Sequence, residues 1–219
     1  MTAAPPPARF TLFLDFDGTI SAGETFVKVL KTFTPDLAAE LIPRIHAFDV
    51  TLREGVTRML ESIPSSQWEA AYTCADDVPL REGIAELVAW AKRNDIPLIV
   101  VSGGLEAMVR RKLGPLVHDI TAVYAIQIDA TGPFLKVVSP FADEQEMVAK
   151  VDVMAEHPAD VRVAVGDSTT DVRMAQVAEL VFARDRLCQQ LDERGVAWLP
   201  WDDFNDIRVA LAARWGLDA

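Results

Sequence analysis

The feature that most restricts the fold of this chain is a short apolar run that ends in two closely spaced carboxylates. Residues 10–14 read Phe-Thr-Leu-Phe-Leu, and Asp15 and Asp17 follow, with a Gly-Thr pair next. In extended backbone, positions i and i+2 point the same way, so both acids are expected to face one spot. Two such acids repel each other unless a cation or a shared proton is present. The pair therefore indicates either a site for a hard metal ion such as Mg²⁺ or a turn that uses Asp and Gly for backbone reasons.

Two later apolar runs also end in small or acidic residues, which is where open α/β sheets bind ligands. Leu98–Val101 is followed by Ser102 and two glycines. Val161–Val165 is followed by a glycine and a second acidic pair, Asp167 and Asp171. We expect these groups to converge with the first acidic pair on one hard-cation site.

Strand and helix patterns alternate from Pro79 onward, which is typical of a parallel sheet with helices on both faces. The patterns include a helix over residues 143–156, which contains Lys150, and a hairpin formed by residues 123–129 and 134–138. Between residues 21 and 78, four helical patterns follow one another without an intervening strand. The sequence therefore predicts an α/β fold, a Rossmann-like parallel sheet with helices on both faces plus an inserted helical cap. The expected domains are a flexible tail (1–8), an α/β core (9–20 and 79–219) and the helical cap (21–78).

The composition restricts the partners of the chain. Its formal net charge is −12 over 219 residues, which disfavours nucleic acid and anionic membranes because both are negatively charged. Residues 1–8 are rich in proline and alanine and lack the apolar stretch of a signal peptide or a membrane span. We expect a cytoplasmic protein, a monomer or a homodimer, with Cys74 and Cys188 as reduced thiols.

Four motifs, in their order along the chain, resemble those of the haloacid dehalogenase superfamily of phosphotransferases. They are Asp-x-Asp-Gly-Thr from Asp15, Ser-Gly at Ser102, a lysine at Lys150 and Gly-Asp-x-x-x-Asp from Gly166. The resemblance implies a Mg²⁺-dependent phosphatase that hydrolyses a small phosphorylated metabolite through an aspartyl-phosphate. A phosphate monoester carries about two negative charges, which a metal ion and a lysine would neutralise.

The resemblance also implies a role for each matched residue. Asp15 would be the nucleophile and Asp17 the general acid and base, while Lys150 would bridge the nucleophile and the phosphate. The phosphate or substrate would be bound by Ser102, Gly103 and Thr170. The metal group would comprise Asp15, the backbone carbonyl of Asp17, Asp167, and Asp171, which would orient Lys150 or a metal-bound water.

The helical segment after the first motif resembles the phosphoserine-phosphatase-like branch of the superfamily. Within it, motifs along nearly the whole chain look like those of the methionine-salvage phosphatases, such as Arg-Glu-Gly-Val at 53–56 and Phe-Ala-Arg-Asp at 182–185. Phosphoserine phosphatase is the alternative, because Glu24 and Arg53 could bind the ammonium and the carboxylate of phosphoserine. Both residues also have a simpler interpretation, Glu24 as an acid at a helix N-terminus and Arg53 as a solvated residue.

A different class of protein uses similar groups. A phospho-accepting regulatory module also places acids, a hydroxyl and a lysine around Mg²⁺ at strand ends. Such modules are much smaller than this chain and need no helical cap over the site. The predicted cap, and the acid Asp17 beside the nucleophile, favour an enzyme that turns over its substrate.

Overall fold

The apolar runs pair into one seven-stranded sheet in the computed structural model, which describes residues 8–218. The strands are β1 (Ala8–Leu14), β2 (Leu98–Leu105), β3 (Ala122–Asp129), β4 (Lys136–Val138), β5 (Ala159–Gly166), β6 (Leu180–Ala183) and β7 (Leu199–Pro200). They lie in the order β4-β3-β2-β1-β5-β6-β7, and all neighbours are parallel except β3 and β4. The predicted hairpin is therefore confirmed. The predicted tail lies outside the described residues, apart from Ala8, which begins β1.

Helices cover both faces of this sheet, as the alternating pattern predicts. They are α1 (Thr25–Phe33), α2 (Pro35–His46), α3 (Leu52–Leu60), α4 (Trp68–Thr73), α5 (Ile84–Arg93), α6 (Glu106–Leu113), α7 (Lys150–Glu156), α8 (Val172–Val177), α9 (Asp185–Asp192) and α10 (Phe204–Trp215). Side chains of β1 alternate between two apolar layers: Leu12 and Leu14 pack with α5 and α10, whereas Phe13 packs with the layer that includes α1 and α3. Within residues 8–218, no helix combines the length and the apolar character needed to cross a bilayer.

Four helices, α1 to α4, lie within residues 21–78, the segment where the sequence predicts a cap. Ser21 and Leu80, close to the two ends of that segment, form an isolated antiparallel bridge. The chain therefore leaves the sheet and returns to it at adjacent points. The division into a core and a cap at residues 21 and 78 stays a prediction.

The predicted helix over residues 143–156 is wrong for its first half, because α7 begins only at Lys150. The Asp143 carboxylate accepts the backbone N–H groups of Gln145 and Glu146 at 2.8 and 2.6 Å, and this local turn competes with a helix. Met147 is buried without being helical, and such an apolar side chain imitates a helical pattern in the sequence. Lys150 is consequently the first residue of a helix that follows an irregular loop.

The second apolar run is longer than the sequence predicts. The pattern ends at Val101, but β2 continues to Leu105. Its register against β3 shifts between Val101 and Leu105, so Ser102 and the two glycines after it occupy an irregular strand end. This irregularity places the buried Ser102 hydroxyl and two glycines, which have no Cβ, at the carboxyl edge of the sheet.

Candidate active site

Three carboxylates from two neighbouring strand ends meet at the carboxyl edge of the sheet. Asp15 follows β1 directly and Asp167 follows β5. The Asp15 N–H donates to the carbonyl of Val165 at 3.0 Å, which continues the pairing of the two strands. Asp171 comes one turn later. Each of the three acids offers an oxygen within 4.8 Å of the others, and all three are buried.

Lys150 lies between two of these acids. Its Nζ donates to Asp15 Oδ1 and to Asp171 Oδ1, both at 2.5 Å, and its side chain is almost completely buried. Burial by itself would lower the pKa of Lys150, but the carboxylates of Asp15 and Asp171 outweigh it and raise that pKa. The lysine is therefore a fixed positive charge, and it leaves the cluster with two more negative than positive groups when all are ionised.

Asp171 is oriented by the loop that carries Asp167. Its Oδ2 accepts the backbone N–H groups of Asp167 at 3.1 Å and of Ser168 at 3.0 Å. The carboxylate packs so closely on Gly166 that a Cβ there would lie 2.5 Å from the Asp171 Cγ. The glycine in the Gly-Asp-x-x-x-Asp motif thus makes room for the second acid of that motif.

Asp167 is held by Thr19, the last residue of the Asp-x-Asp-Gly-Thr motif. The sequence alone assigns no role to this threonine. The Thr19 hydroxyl donates to Asp167 Oδ1 at 2.9 Å, and Thr19 is fully buried. Burial, together with the nearby charge of Asp171, raises the pKa of Asp167 to about 7. Burial and the charge of Asp171 also raise the pKa of Asp15 well above its usual range, although Lys150 opposes them. Both shifts favour the protonated acids, so protons and a cation would compete for this cluster.

Asp17 is not one of the three clustered carboxylates, and it binds the first turn of α1. Its Oδ1 accepts the N–H and the hydroxyl of Thr25, at 2.6 and 2.5 Å, and the N–H of Phe26 at 3.1 Å. Burial raises the pKa of Asp17, and these three donors oppose the rise. With Oδ1 occupied as an acceptor, Oδ2 is the oxygen that can carry a proton.

The Oδ2 atom of Asp17 faces the irregular end of β2. A Cβ on Gly104 would lie 3.0 Å from Asp17 Oδ2 and 3.3 Å from the Ser102 Oγ, so a larger residue there would crowd both side chains. The buried Ser102 Oγ accepts the Gly104 N–H at 3.0 Å, which leaves its own proton to donate. By contrast, a Cβ on Gly103 would meet nothing within 4 Å, so Gly103 borders open space.

The remaining three predicted site residues lie apart from this cluster or at its edge. Thr170 is exposed, and its hydroxyl lies 3.0 Å from that of Ser168. Glu24 lies immediately before α1, and the residue as a whole is exposed. Partial desolvation of its carboxyl and the nearby negative charge of Asp17 raise its pKa. The Arg53 guanidinium donates to the backbone carbonyl of Asp143 at 2.7 Å, in the loop before Lys150.

The donor set fits a hard divalent cation. Asp15, Asp167 and Asp171 supply only carboxylate oxygens, which are the ligands that Mg²⁺ prefers. Their charge exceeds that of Lys150, and a buried excess of negative charge is stable only if protons or a cation neutralise it. The sequence prediction of a Mg²⁺ site is compatible with this geometry, while the predicted ligation by the backbone carbonyl of Asp17 stays a prediction.

A model of the haloacid dehalogenase-like hydrolase family matches residues 12–176. A 2-hydroxy-3-keto-5-methylthiopentenyl-1-phosphate phosphatase of Microcystis aeruginosa is 42% identical over 205 residues, covering 93% of this chain and 98% of that protein. The enzyme of the same name from Geobacillus kaustophilus is 32% identical over 211 residues, covering 93% and 96%.

Solved structures support the fold. A phosphoserine phosphatase with an analogue of its phospho-aspartyl intermediate superposes with a TM-score of 0.67 at 18% identity, over 94% of this chain and 99% of that chain. A probable phosphoserine phosphatase from Vibrio cholerae gives a TM-score of 0.71 at 18% identity, over 97% and 69%. At such identities the likeness concerns the fold.

Binding of Mg²⁺ should weaken as the pH falls below about 7. Asp167, with a pKa of about 7, must lose its proton to bind a cation, so the apparent Kd should rise about tenfold per pH unit below that value. In the metal-free protein the raised pKa means that stability is lost as the pH rises from about 4 towards 7. Mg²⁺ should therefore raise the Tm more at about pH 8 than at about pH 5.5. Equal shifts in a thermal melt at both pH values would contradict this account.

Two glycine-to-alanine substitutions should differ in their effect on stability, because one glycine is closely packed and the other borders open space. Gly166→Ala places a Cβ against Asp171 and should lower the free energy of unfolding by about 1–3 kcal/mol. Gly103→Ala is the matched control, because it meets nothing within 4 Å, and should change that free energy by less than about 0.5 kcal/mol. Urea unfolding measures both, and equal stability of the two variants would contradict the close packing at Gly166.

Proposed function

We propose, from the premise that the chain belongs to the haloacid dehalogenase-like hydrolase family, that it is a Mg²⁺-dependent phosphomonoester hydrolase. The observation that carries the proposal is the buried cluster in which Lys150 bridges Asp15 and Asp171 beside Asp167. The phosphatase names of relatives that match over more than nine-tenths of the chain support the same reaction. When bound, Mg²⁺ would be held by Asp15, Asp167 and Asp171 and would supply positive charge to the phosphate oxygens.

In the first step, an Asp15 carboxylate oxygen attacks phosphorus. A bond from that oxygen to phosphorus forms, and the bond from phosphorus to the ester oxygen breaks. The departing alkoxide takes the proton from Asp17 Oδ2, which faces Gly104 while Oδ1 is occupied by the N-terminus of α1. Lys150, 2.5 Å from Asp15, stabilises the negative charge around the phosphate.

In the second step, water hydrolyses the aspartyl-phosphate. The Asp17 carboxylate, now without its proton, takes one from the attacking water. A bond from the water oxygen to phosphorus forms, and the bond between phosphorus and the Asp15 oxygen breaks. Asp15 returns to its initial form, and inorganic phosphate leaves. Two groups suit the binding of phosphate oxygens in both steps. The Ser102 hydroxyl still has a proton to donate, and Gly103, which has an N–H to donate, borders open space.

We further propose that the substrate is 2-hydroxy-3-keto-5-methylthiopentenyl-1-phosphate, the compound in the names of the relatives, which implies a role in methionine salvage. Phosphoserine would bring a carboxylate that needs a cationic partner when the site excludes water. Arg53, the residue suggested for that task, binds the Asp143 carbonyl instead. The methylthio tail of the proposed substrate needs an apolar surface, and Phe26 lies beside Asp17 and Gly104.

The regulatory alternative is less well supported by the site. A phospho-accepting module has no leaving group to protonate, whereas Asp17 is part-buried, hydrogen-bonded to the first turn of α1 and has a raised pKa. A raised pKa favours the protonated carboxyl, which suits an enzyme that protonates a leaving group in every cycle. Cys74 and Cys188 are unpaired, which fits the proposed cytoplasmic location, a reducing compartment.

Substitution of the two aspartates in the first motif should separate their roles. Asp15→Asn should lower kcat/KM by at least about 10⁴-fold on every phosphate ester, because the attacking oxygen is lost. Asp17→Asn should cost about 10²–10⁴-fold on an alkyl phosphate and less on p-nitrophenyl phosphate, whose leaving group needs no proton.

Asp160→Asn is the matched control, since Asp160 is exposed at the opposite end of β5 and should leave kcat/KM unchanged. Steady-state phosphate release, with circular dichroism to check folding, measures all three variants. Wild-type turnover by a folded Asp15→Asn variant would exclude Asp15 as the nucleophile.

The substrate is tested by the ratio of two activities. If phosphoserine is not the substrate, Glu24→Gln and Arg53→Ala should leave the ratio of kcat/KM for the methylthiopentenyl ester to that for L-phosphoserine unchanged within about threefold. The ratio cancels any general effect of Arg53 on the loop before Lys150. Strong wild-type activity on L-phosphoserine that falls by more than about tenfold in both variants would favour phosphoserine phosphatase.

A further inference from the structure

A guanidinium outside the carboxylate cluster binds the loop that follows Asp17. Arg81 donates from Nε to the Thr19 carbonyl at 2.8 Å and from Nη2 to the Gly18 carbonyl at 2.5 Å. Its backbone N–H donates to the Ile20 carbonyl at 2.8 Å. One residue therefore satisfies three consecutive carbonyls of a chain segment about sixty positions earlier.

These carbonyls belong to the loop that orients Asp167. Gly18 has a φ of +76°, and a Cβ on it would lie 2.3 Å from Asp167 Oδ2, so this backbone runs directly against the carboxylate. The next residue, Thr19, donates its hydroxyl to Asp167 Oδ1. A shift of this loop would change the position of both oxygens of Asp167.

Arg81 is itself held in place by an aromatic ring. Its Cζ lies 5.3 Å from the centroid of the buried Trp201 ring, within the range of a cation–π contact. The planar guanidinium can donate to two neighbouring carbonyls while it contacts the ring, which a lysine ammonium cannot reproduce. Arg184 contacts the same ring at 5.1 Å, but its side chain donates to the Asp202 carbonyl and to the Asp185 carboxylate.

The position of Arg81 in the chain connects this loop to the helical segment. The segment ends at the bridge between Ser21 and Leu80, and Ala22 donates its N–H to the Pro79 carbonyl at 2.9 Å. Arg81 is the next residue. The place where the helices return to the sheet is therefore bonded directly to the loop beside Asp167.

We infer that Arg81 is a positioning residue that fixes Asp167 for metal binding by clamping the carbonyls of Gly18 and Thr19. The inference rests on the proposed function, because it takes the carboxylate cluster as the Mg²⁺ site. The side-chain hydrogen bonds of Arg81 go to the loop carbonyls of Gly18 and Thr19, so we assign its effect on Asp167 to the position of this loop.

Calorimetric titration of the metal-free protein with MgCl₂ tests this inference without turnover. Arg81→Met and Arg81→Lys should each raise the Kd for Mg²⁺ by about 10–100-fold, the usual effect of losing a residue that orients a ligand. Arg184→Met is the matched control, because it removes a guanidinium from the same ring without touching the loop, and its Kd should stay within about twofold of the wild type.

A double-mutant cycle adds a readout that general destabilisation would not give. Thr19→Val removes the hydrogen bond to Asp167 in a side chain of the same shape and should also weaken Mg²⁺ binding. If Arg81 acts through Thr19, the doubly substituted protein should lose less affinity than the sum of the two single losses. Thr19→Val and Arg81→Lys decide the test if Arg81→Met does not fold.

The outcomes separate this inference from the proposed function. Wild-type Mg²⁺ affinity in folded Arg81 variants, or strictly additive losses in the cycle, would overturn the role of Arg81 and leave the Mg²⁺ site intact. A wild-type protein that binds no Mg²⁺ would overturn the proposed function and, with it, this inference.

Discussion

The repulsion among three buried carboxylates is the constraint on which the rest of the site depends. Asp15, Asp167 and Asp171 are held within 4.8 Å of one another, where each would resist ionisation. Lys150 neutralises part of this charge with two contacts of 2.5 Å, and the remainder attracts protons or a divalent cation. A cation that binds here relieves the remaining repulsion, and the carboxyl edge of the parallel sheet is where open α/β folds bind ligands.

The helices inserted after β1 are bonded to the site at several points rather than lying separately above it. The first turn of α1 binds Asp17, and Arg53 at the start of α3 binds the loop that leads to Lys150. Arg81, where the chain returns from the helices, binds the loop that orients Asp167. Asp17, the loop before Lys150 and the loop beside Asp167 are therefore each bonded either to the inserted helices or to the point where the chain returns from them.

The parts of the site that lie next to strand ends could be predicted from the sequence. An apolar run that ends in an acid predicts Asp15 and Asp167, and parallel neighbours bring them together. The start of the helix at Lys150 could not be predicted, because buried Met147 in a loop imitates a helical pattern. Arg81 and Thr25 were missed, since their partners are backbone carbonyls or a distant carboxylate, and such pairings leave no periodicity in the sequence.

The most direct test of this account is to trap the covalent intermediate. Acid quenching during turnover of p-nitrophenyl phosphate, followed by borohydride reduction, converts an aspartyl-phosphate into homoserine, which peptide mass spectrometry can assign to one position. The account predicts homoserine at position 15 and unchanged aspartate at positions 17, 167 and 171. Modification at one of those three instead, or turnover with no modification at all, would contradict Asp15 as the nucleophile.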